Sequence, residues 1–192
     1  MQVAIFDDMN QCTEQEVQRL LPLVSVQRRE QALKYKHTFG QFCCLKSWLM
    51  LYDLVGIPGY RDTKWKFNEH CKPYLEHGPY FSISHCKEGI AVAIDDQPIG
   101  IDIEHIRHAD SDLIARVMNE EERLAIRELG MREFTRLWTQ KEAIVKAEGT
   151  GIVSFEQLKG IRSQDSGFRI QTVEKEKYIY SIAYGKLHCI GA

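Results

Sequence analysis

Gly100-Ile101-Asp102-Ile103-Glu104 alternates apolar and acidic residues with a period of two, the spacing of a β-strand. Asp102 and Glu104 then project from one face while Ile101 and Ile103 face a core. Alternation of this kind is common in antiparallel sheets, and alone it reads as a half-exposed strand. Just upstream, Asp95-Asp96-Gln97-Pro98 has turn chemistry, and the runs Tyr80 to Ile83 and Ile90 to Ile94 are rich in β-branched and aromatic residues. Strands are expected there, with a hairpin across the turn.

After 33 intervening residues the chain reads Trp138-Thr139-Gln140-Lys141-Glu142, with Lys146 one helical turn further on. At about 100° per residue, Phe134, Leu137, Trp138, Ile144 and Val145 form an apolar arc. Lys141 falls near the middle of that arc, where an ammonium is out of place unless something anionic meets it. Glu142 lies at its edge and Lys146 just outside. Glu142 and Lys146 also form an i,i+4 pair in the favourable order, and lysine stems can lie along apolar surface, so each residue has an ordinary explanation taken singly. Together with Asp102 and Glu104, the set suggests a hard cation holding a polyphosphate, because Mg²⁺ takes carboxylate oxygens supplemented by water and phosphate.

The rest of the chain supplies a frame for these two segments. Residues 2–6 read as a strand and 13–20 as a short helix opened by a Thr13 cap. Residues 27–36 and 40–55 read as helices, the second carrying Phe42, Leu45, Leu49 and Tyr52 at helical spacing and ending near Gly56 and Pro58. A polar helical region is expected over 110–129, broken by Gly130 before the helix at 132–148, which stops at Gly149-Thr150-Gly151. Strands are expected near 167–173, 177–184 and 187–190.

At 192 residues and a net charge of -2, with basic residues dispersed, the chain has room for a core and no broad affinity for nucleic acid or anionic membrane. The six cysteines form no C-x-x-C pair and read as reduced thiols. No basic region precedes an apolar run at the start and no run of about 18 apolar residues occurs, so a cytoplasmic protein without a membrane span is expected. His105 and His108 lack the pattern of a zinc site. The common phosphate-loop, dinucleotide-loop and nucleophile-elbow motifs are absent. Ser84-His85, after Phe81-Ser82-Ile83, and Lys72-Pro73 offer groups that can meet phosphate, although alone the first reads more readily as a surface or satisfied histidine and the second equally as a solvated lysine at a turn.

Taken together, the G-I-D-I-E strand and the W-x-x-K-E-x-x-x-K helix resemble the signatures of phosphopantetheinyl transferases of the surfactin-synthetase-activating type. The resemblance spans about residues 28–160 and includes Lys72-Pro73 and Ser84-His85. Gln41 departs from the pattern, standing where family members usually carry an arginine.

The resemblance implies an α+β fold: a pseudo-dimer of two similar halves, 1–96 and 97–192, each a small mostly antiparallel sheet with a long helix. It implies transfer of the 4′-phosphopantetheine arm of coenzyme A to a serine of an apo acyl or peptidyl carrier protein, releasing adenosine 3′,5′-bisphosphate. Asp102, Glu104 and Glu142 would bind Mg²⁺ or Mn²⁺. Lys141 and Lys146 would contact phosphates, Glu142 or a metal-bound water would take the serine proton, and Lys72, Ser84 and His85 would hold the nucleotide end. Trp138 would pack and orient its helix. Ile114, Val117 and Met118 would either pack internally or face the carrier. A monomer is expected. A carrier-binding homologue without catalysis and a metal-dependent phosphohydrolase are the alternatives.

Overall fold

The computed structural model describes residues 1–56, 65–70, 72–106, 108–151 and 154–185. Two antiparallel sheets of three strands dominate it. Strands β1 (Gln2–Phe6), β4 (Tyr80–Cys86) and β5 (Gly89–Asp95) form one sheet in the order β1-β5-β4. Strands β6 (Ile99–His105), β7 (Arg169–Glu174) and β8 (Tyr178–Tyr184) form the other in the order β6-β8-β7. A two-residue pair, β2 (Lys66–Phe67) and β3 (Pro73–Tyr74), makes a small separate hairpin.

Strand alternation sets the layers. On β5, Ile90, Val92 and Ile94 enter a core with helix α3 (Thr38–Val55), while Ala91 and Ala93 turn the other way. There the alanines meet Ile99, Ile101 and Ile103 of β6, so the two sheets share a second core. The opposite face of β6 carries Gly100, Asp102 and Glu104 and is covered by helix α6 (Met131–Glu148). Strand β6 is therefore covered on both faces, and Ile99 through Ile103 are all buried. A half-exposed strand was expected. Burial of the acidic face is what sequence alternation alone cannot reveal, because it depends on a helix that begins 26 residues after β6 ends.

The hairpin expected across residues 95–98 does not form. Strand β5 already pairs with β1 along one edge and β4 along the other, leaving no edge for β6, which pairs with β8 instead. Cross-links between the sheets are polar as well as apolar: Ile101 N donates to Ser82 Oγ at 3.0 Å, and Tyr178 OH donates to Asp7 Oδ2 at 2.9 Å.

Helix boundaries follow their caps. Thr13 accepts from Glu16 N at the start of α1 (Glu14–Leu20), Ser25 caps α2 (Val26–Leu33), and Gly56 ends α3 in the left-handed conformation. The polar helical region expected over 110–129 comprises two helices, α4 (Ser111–Val117) and α5 (Glu120–Leu129), because Asn119 and Glu122 form a capping box that starts a new helix. A short helix, α7 (Phe155–Gly160), was not foreseen. The expected strand at 187–190 lies outside the described residues.

Helix α6 is pinned to its sheet by a buried hydroxyl chain. Thr139 Oγ1 bonds Ser181 Oγ at 2.8 Å, Ser181 bonds Thr172 Oγ1 at 2.9 Å, and Gln140 Nε2 donates to Thr172 Oγ1 at 3.0 Å. Four described cysteines, Cys12, Cys43, Cys44 and Cys86, are free thiols, and burial pushes Cys43 up to about 12 and Cys86 up to about 11. Among the described residues no helix is long and apolar enough to cross a membrane.

Gly100 fixes how near α6 can come. A Cβ there would lie 1.9 Å from Ala143 O and 2.5 Å from Ala147 N, both backbone atoms. Gly100→Ala is expected to force the helix off the strand and cost about 3 kcal/mol or more, at the upper end for overpacking. Urea denaturation that leaves the midpoint unchanged would refute this close contact.

Candidate functional site

A cleft of about 370 Å³ opens beside the C-terminal half of α6, with Glu142 and Lys146 on one wall and Lys72, Phe81 and Ser82 on the other. Phe81 is held from behind by an aromatic cluster, its ring edge-on to Trp65 at 5.2 Å and to Trp48 at 6.1 Å. A second cavity of about 560 Å³ shares Lys72, Pro73, Phe81 and Gly149 with the first, so Lys72 stands where the two meet.

Asp102 is the most constrained acid of the site. It is 4% exposed, and its Oδ1 accepts from Ser84 Oγ at 2.8 Å and from Lys146 Nζ at 2.7 Å. Its Oδ2 is buried with no hydrogen-bond partner. A buried carboxylate oxygen without a donor carries its full desolvation cost, which suits a position where a cation or a further donor is taken up. Glu104, two residues on, is half-buried, and Glu142 is buried on the facing helix. Hard oxygen donors of this kind fit Mg²⁺. Among the described residues, however, no three acidic, histidine or cysteine side chains are gathered closely enough to hold a metal, and Asp102 is neutralised by Lys146.

Lys72 reaches the site from the small hairpin. Its ammonium donates to the carbonyl of Lys146, which belongs to the last turn of α6, and more weakly to Ile99 O at 3.4 Å. A cation at a helix C-terminus meets the negative end of the dipole. Burial, together with the charge of Lys146, lowers its pKa to about 8. Asn68, which sequence reading did not single out, builds this arrangement. Its Oδ1 accepts from Lys72 N at 2.8 Å and His70 N at 3.0 Å, while its Nδ2 donates to Gly149 O at 2.9 Å. The available signal was an asparagine four residues before a lysine in a turn-rich stretch.

Two residues expected at the ligand make internal contacts in the structure. Lys141 is 2% exposed and does not line the cleft. Its ammonium pairs with Glu122 Oε1 at 3.0 Å and donates to Leu158 O at 2.8 Å and Ile161 O at 2.7 Å, fastening α5 and the end of α7 to α6. The anion demanded by a lysine in the apolar arc is thus an internal glutamate. Ser84, expected at the nucleotide, is buried and spends its hydroxyl on Asp102. His85 is exposed near the C-terminal end of β4 with its ring edge-on to Phe39 at 5.9 Å. Solvent reaches the imidazole, yet packing around it and the charge of Lys146 hold its pKa below the ordinary value.

Gln41 Nε2 donates to Tyr35 O at 2.9 Å. Trp138 packs on Phe134, ring centroids 6.0 Å apart, as expected of an orienting residue. Val117 and Met118 are fully buried and Ile114 packs against the same cluster, so these three turn inward.

Residues 98–189, which carry β6 and α6, match the family model of the 4′-phosphopantetheinyl transferase superfamily. That match takes in a little under half of the chain. It is similar to the 4′-phosphopantetheinyl transferase gsp of Aneurinibacillus migulanus, 30% identical over 62% of this chain and 50% of the relative. It is also similar to the 4′-phosphopantetheinyl transferase psf-1 of Bacillus pumilus, 26% identical over 79% of this chain and 68% of the relative. To the 4′-phosphopantetheinyl transferase Sfp of Bacillus subtilis it is 26% identical over 73% of this chain and 66% of the relative. The matched part thus spans half the length of the first of these relatives. The two segments meet where Asp102 pairs with Lys146 and where Gly100 lies against Ala143.

The depressed pKa of Lys72 has a definite sign. The group is a cation below about 8 and neutral above, so anion affinity in the cleft should fall as pH rises through about 8. Sulfate, whose charge is constant over that range, serves as the calorimetric probe, and Lys72→Met should flatten the profile. An unchanged profile in the variant would rule Lys72 out as the titrating group. Lys141→Met should cost roughly 3 kcal/mol by breaking a buried pair while leaving sulfate affinity of the folded protein unchanged. Lost affinity with stability intact would restore Lys141 to the ligand.

Proposed function

We propose that this chain is a 4′-phosphopantetheinyl transferase that moves the phosphopantetheine arm of coenzyme A onto a serine of an apo acyl or peptidyl carrier protein. The observation that carries this reading is the cleft in which Lys72, Lys146 and Glu142 line facing walls beside the buried, half-satisfied carboxylate of Asp102. The match of residues 98–189 to the superfamily's model supports the reaction class.

In this reading Asp102, with Glu104 and Glu142, holds Mg²⁺ or Mn²⁺. When bound, the cation neutralises pyrophosphate charge as the bond breaks. Lys146 leaves its place on Asp102 to contact the phosphates, and Lys72 and His85 hold the adenosine bisphosphate end. Ser84 acts through Asp102, which it orients at 2.8 Å. The carrier serine oxygen forms a bond to phosphorus, the pyrophosphate P–O bond breaks, and adenosine 3′,5′-bisphosphate leaves with the electron pair. Glu142 receives the serine proton as general base. Phosphoryl transfer of this kind needs mainly positioning and charge neutralisation, which a cleft rich in lysine and carboxylate can supply.

We also read the chain as a pseudo-dimer divided near residues 96 and 97. Supporting this, each sheet places its first strand beside its last, with the preceding strand on the far edge, and each is covered by an 18-residue helix lying between its first and second strands in the sequence. Because the cleft draws residues from both sides within one chain, the protein is expected to act as a monomer in the cytoplasm.

The direct test incubates the full chain with Mg²⁺, coenzyme A and several apo carrier proteins and weighs the carriers by mass spectrometry. A gain equal to one phosphopantetheine arm is expected, with Glu142→Gln slowing transfer by about 10²-fold or more. No gain on any carrier would count against transfer, and release of phosphate without a carrier would mark a hydrolase. Full activity of Asp102→Asn or Glu142→Gln in folded protein would sink the residue assignment.

A further inference from the structure

We infer that Lys72 is a covalent modification site, at which the lysine nitrogen takes the acyl group of a small acyl phosphate seated in the cleft and the cleft loses a cation. Only the consequence rests on the reading given above: acylation would then weaken the hold on the adenosine bisphosphate end of the coenzyme. The chemistry at the nitrogen stands on its own geometry.

Lys72 is the one ionisable side chain that lines both cavities among the described residues. Its Nζ donates one hydrogen to the carbonyl of Lys146 on α6 and another to that of Ile99 on β6. The third position has no partner among the described residues. It carries a proton in the ammonium and the lone pair in the free amine. Asn68 holds the backbone of Lys72 in turn, accepting from its N–H at 2.8 Å. The nitrogen is therefore kept in place at the junction of the cavities, which favours reaction with a bound partner.

The charged and titratable groups facing it are Lys146 and Glu142 from α6 and His70 from its own hairpin in the first cavity, with Glu148 and His77 in the second. Burial and the charge of Lys146 bring Lys72 to about 8. At pH 7 about a tenth of such a group is free amine, against about one part in 2,500 for an ordinary lysine.

Lys146 also supplies a hold on the donor. Among the described residues its ammonium spends one hydrogen, on Asp102 at 2.7 Å, and its side chain is 29% exposed in the first cavity. Two hydrogens remain for phosphoryl oxygens. An acyl phosphate joins an anionic phosphoryl group directly to a reactive carbonyl, so it can meet Lys146 with one end and Lys72 with the other. The amine nitrogen forms a bond to the carbonyl carbon, the carbon–oxygen bond to phosphate breaks, phosphate leaves with the electron pair, and the nitrogen gives its proton to water. The amide product is uncharged and keeps one hydrogen, enough for one of the two carbonyls.

The test incubates the full chain with acetyl phosphate, without coenzyme, carrier or metal, and follows each lysine by peptide mass spectrometry. Lys72 should react at least about tenfold faster at pH 7 than the exposed Lys36 and Lys87, the lower basicity of its amine taking back part of the gain in free amine. Its rate should level off above about pH 8. Saturating sulfate should slow Lys72 alone, and Lys146→Met should lose most of the preference for Lys72. Should that variant fail to fold, p-nitrophenyl acetate, an uncharged donor, serves instead: its preference for Lys72 should be smaller than that of acetyl phosphate. Protein acetylated at Lys72 should bind sulfate about tenfold more weakly by calorimetry, the worth of one charge-assisted hydrogen bond.

Reaction at Lys72 no faster than at Lys36 and Lys87 would overturn the proposal. So would a rate indifferent to sulfate, an equal preference with the two donors, or undiminished sulfate affinity after acetylation. Each of these results would leave the transfer reading standing, since neither coenzyme nor carrier takes part.

Discussion

The close approach of α6 to β6 at Gly100 is the constraint on which the site depends. Backbone of the helix occupies the volume that any Cβ at position 100 would need, 1.9 Å from Ala143 O. Only at that separation does the acidic face of β6 become buried, and only then can Lys146, one turn past Glu142, reach Asp102 across the gap. The glycine is needed for proximity, since a glycine inside a strand commonly marks such an approach. The hydroxyl chain through Thr139, Ser181 and Thr172 fixes the register of the helix once the glycine has set its distance.

Burial of charge then organises the surroundings. Three lysines sit on or near α6, and each has a different use. Lys141 is spent inside the protein, binding Glu122 and two carbonyls so that α5 and α7 move with α6. Lys146 spans from helix to sheet at the cleft. Lys72 arrives from the small hairpin, positioned by Asn68, and closes the end of α6. A buried ion pair contributes little net stability but punishes the loss of either partner, so these pairs specify one arrangement of helices around the cleft.

Much of this was legible in the residues. The period of two over 100–104 and the helical arc over 134–145 named the strand and the helix, and Thr13, Gly56 and Gly149 marked their helix ends. The wheel placed Lys141 in an apolar arc and required an anion for it. What it could not supply was the identity of that anion, because Glu122 lies 19 residues earlier on another helix. The partner of Ser84 was hidden for a related reason: its neighbours on β4 suggested a phosphate, while the hydroxyl meets a carboxylate on the other sheet. The hairpin over 95–98 failed because turn chemistry is local, whereas edge availability depends on β1, which lies about 90 residues away in the chain.

The sequence alone determined the local periods, the caps and the kinds of chemistry available, since each depends on residues a few positions apart. Tertiary structure decided which charges meet one another and which face the cleft. Ammonium and carboxylate groups choose partners by distance through space and by access to water, and neither can be read along the chain. Asp102 with Lys146 is the clearest case, two residues 44 positions apart whose pairing exists only because a glycine lets a helix lie against a strand.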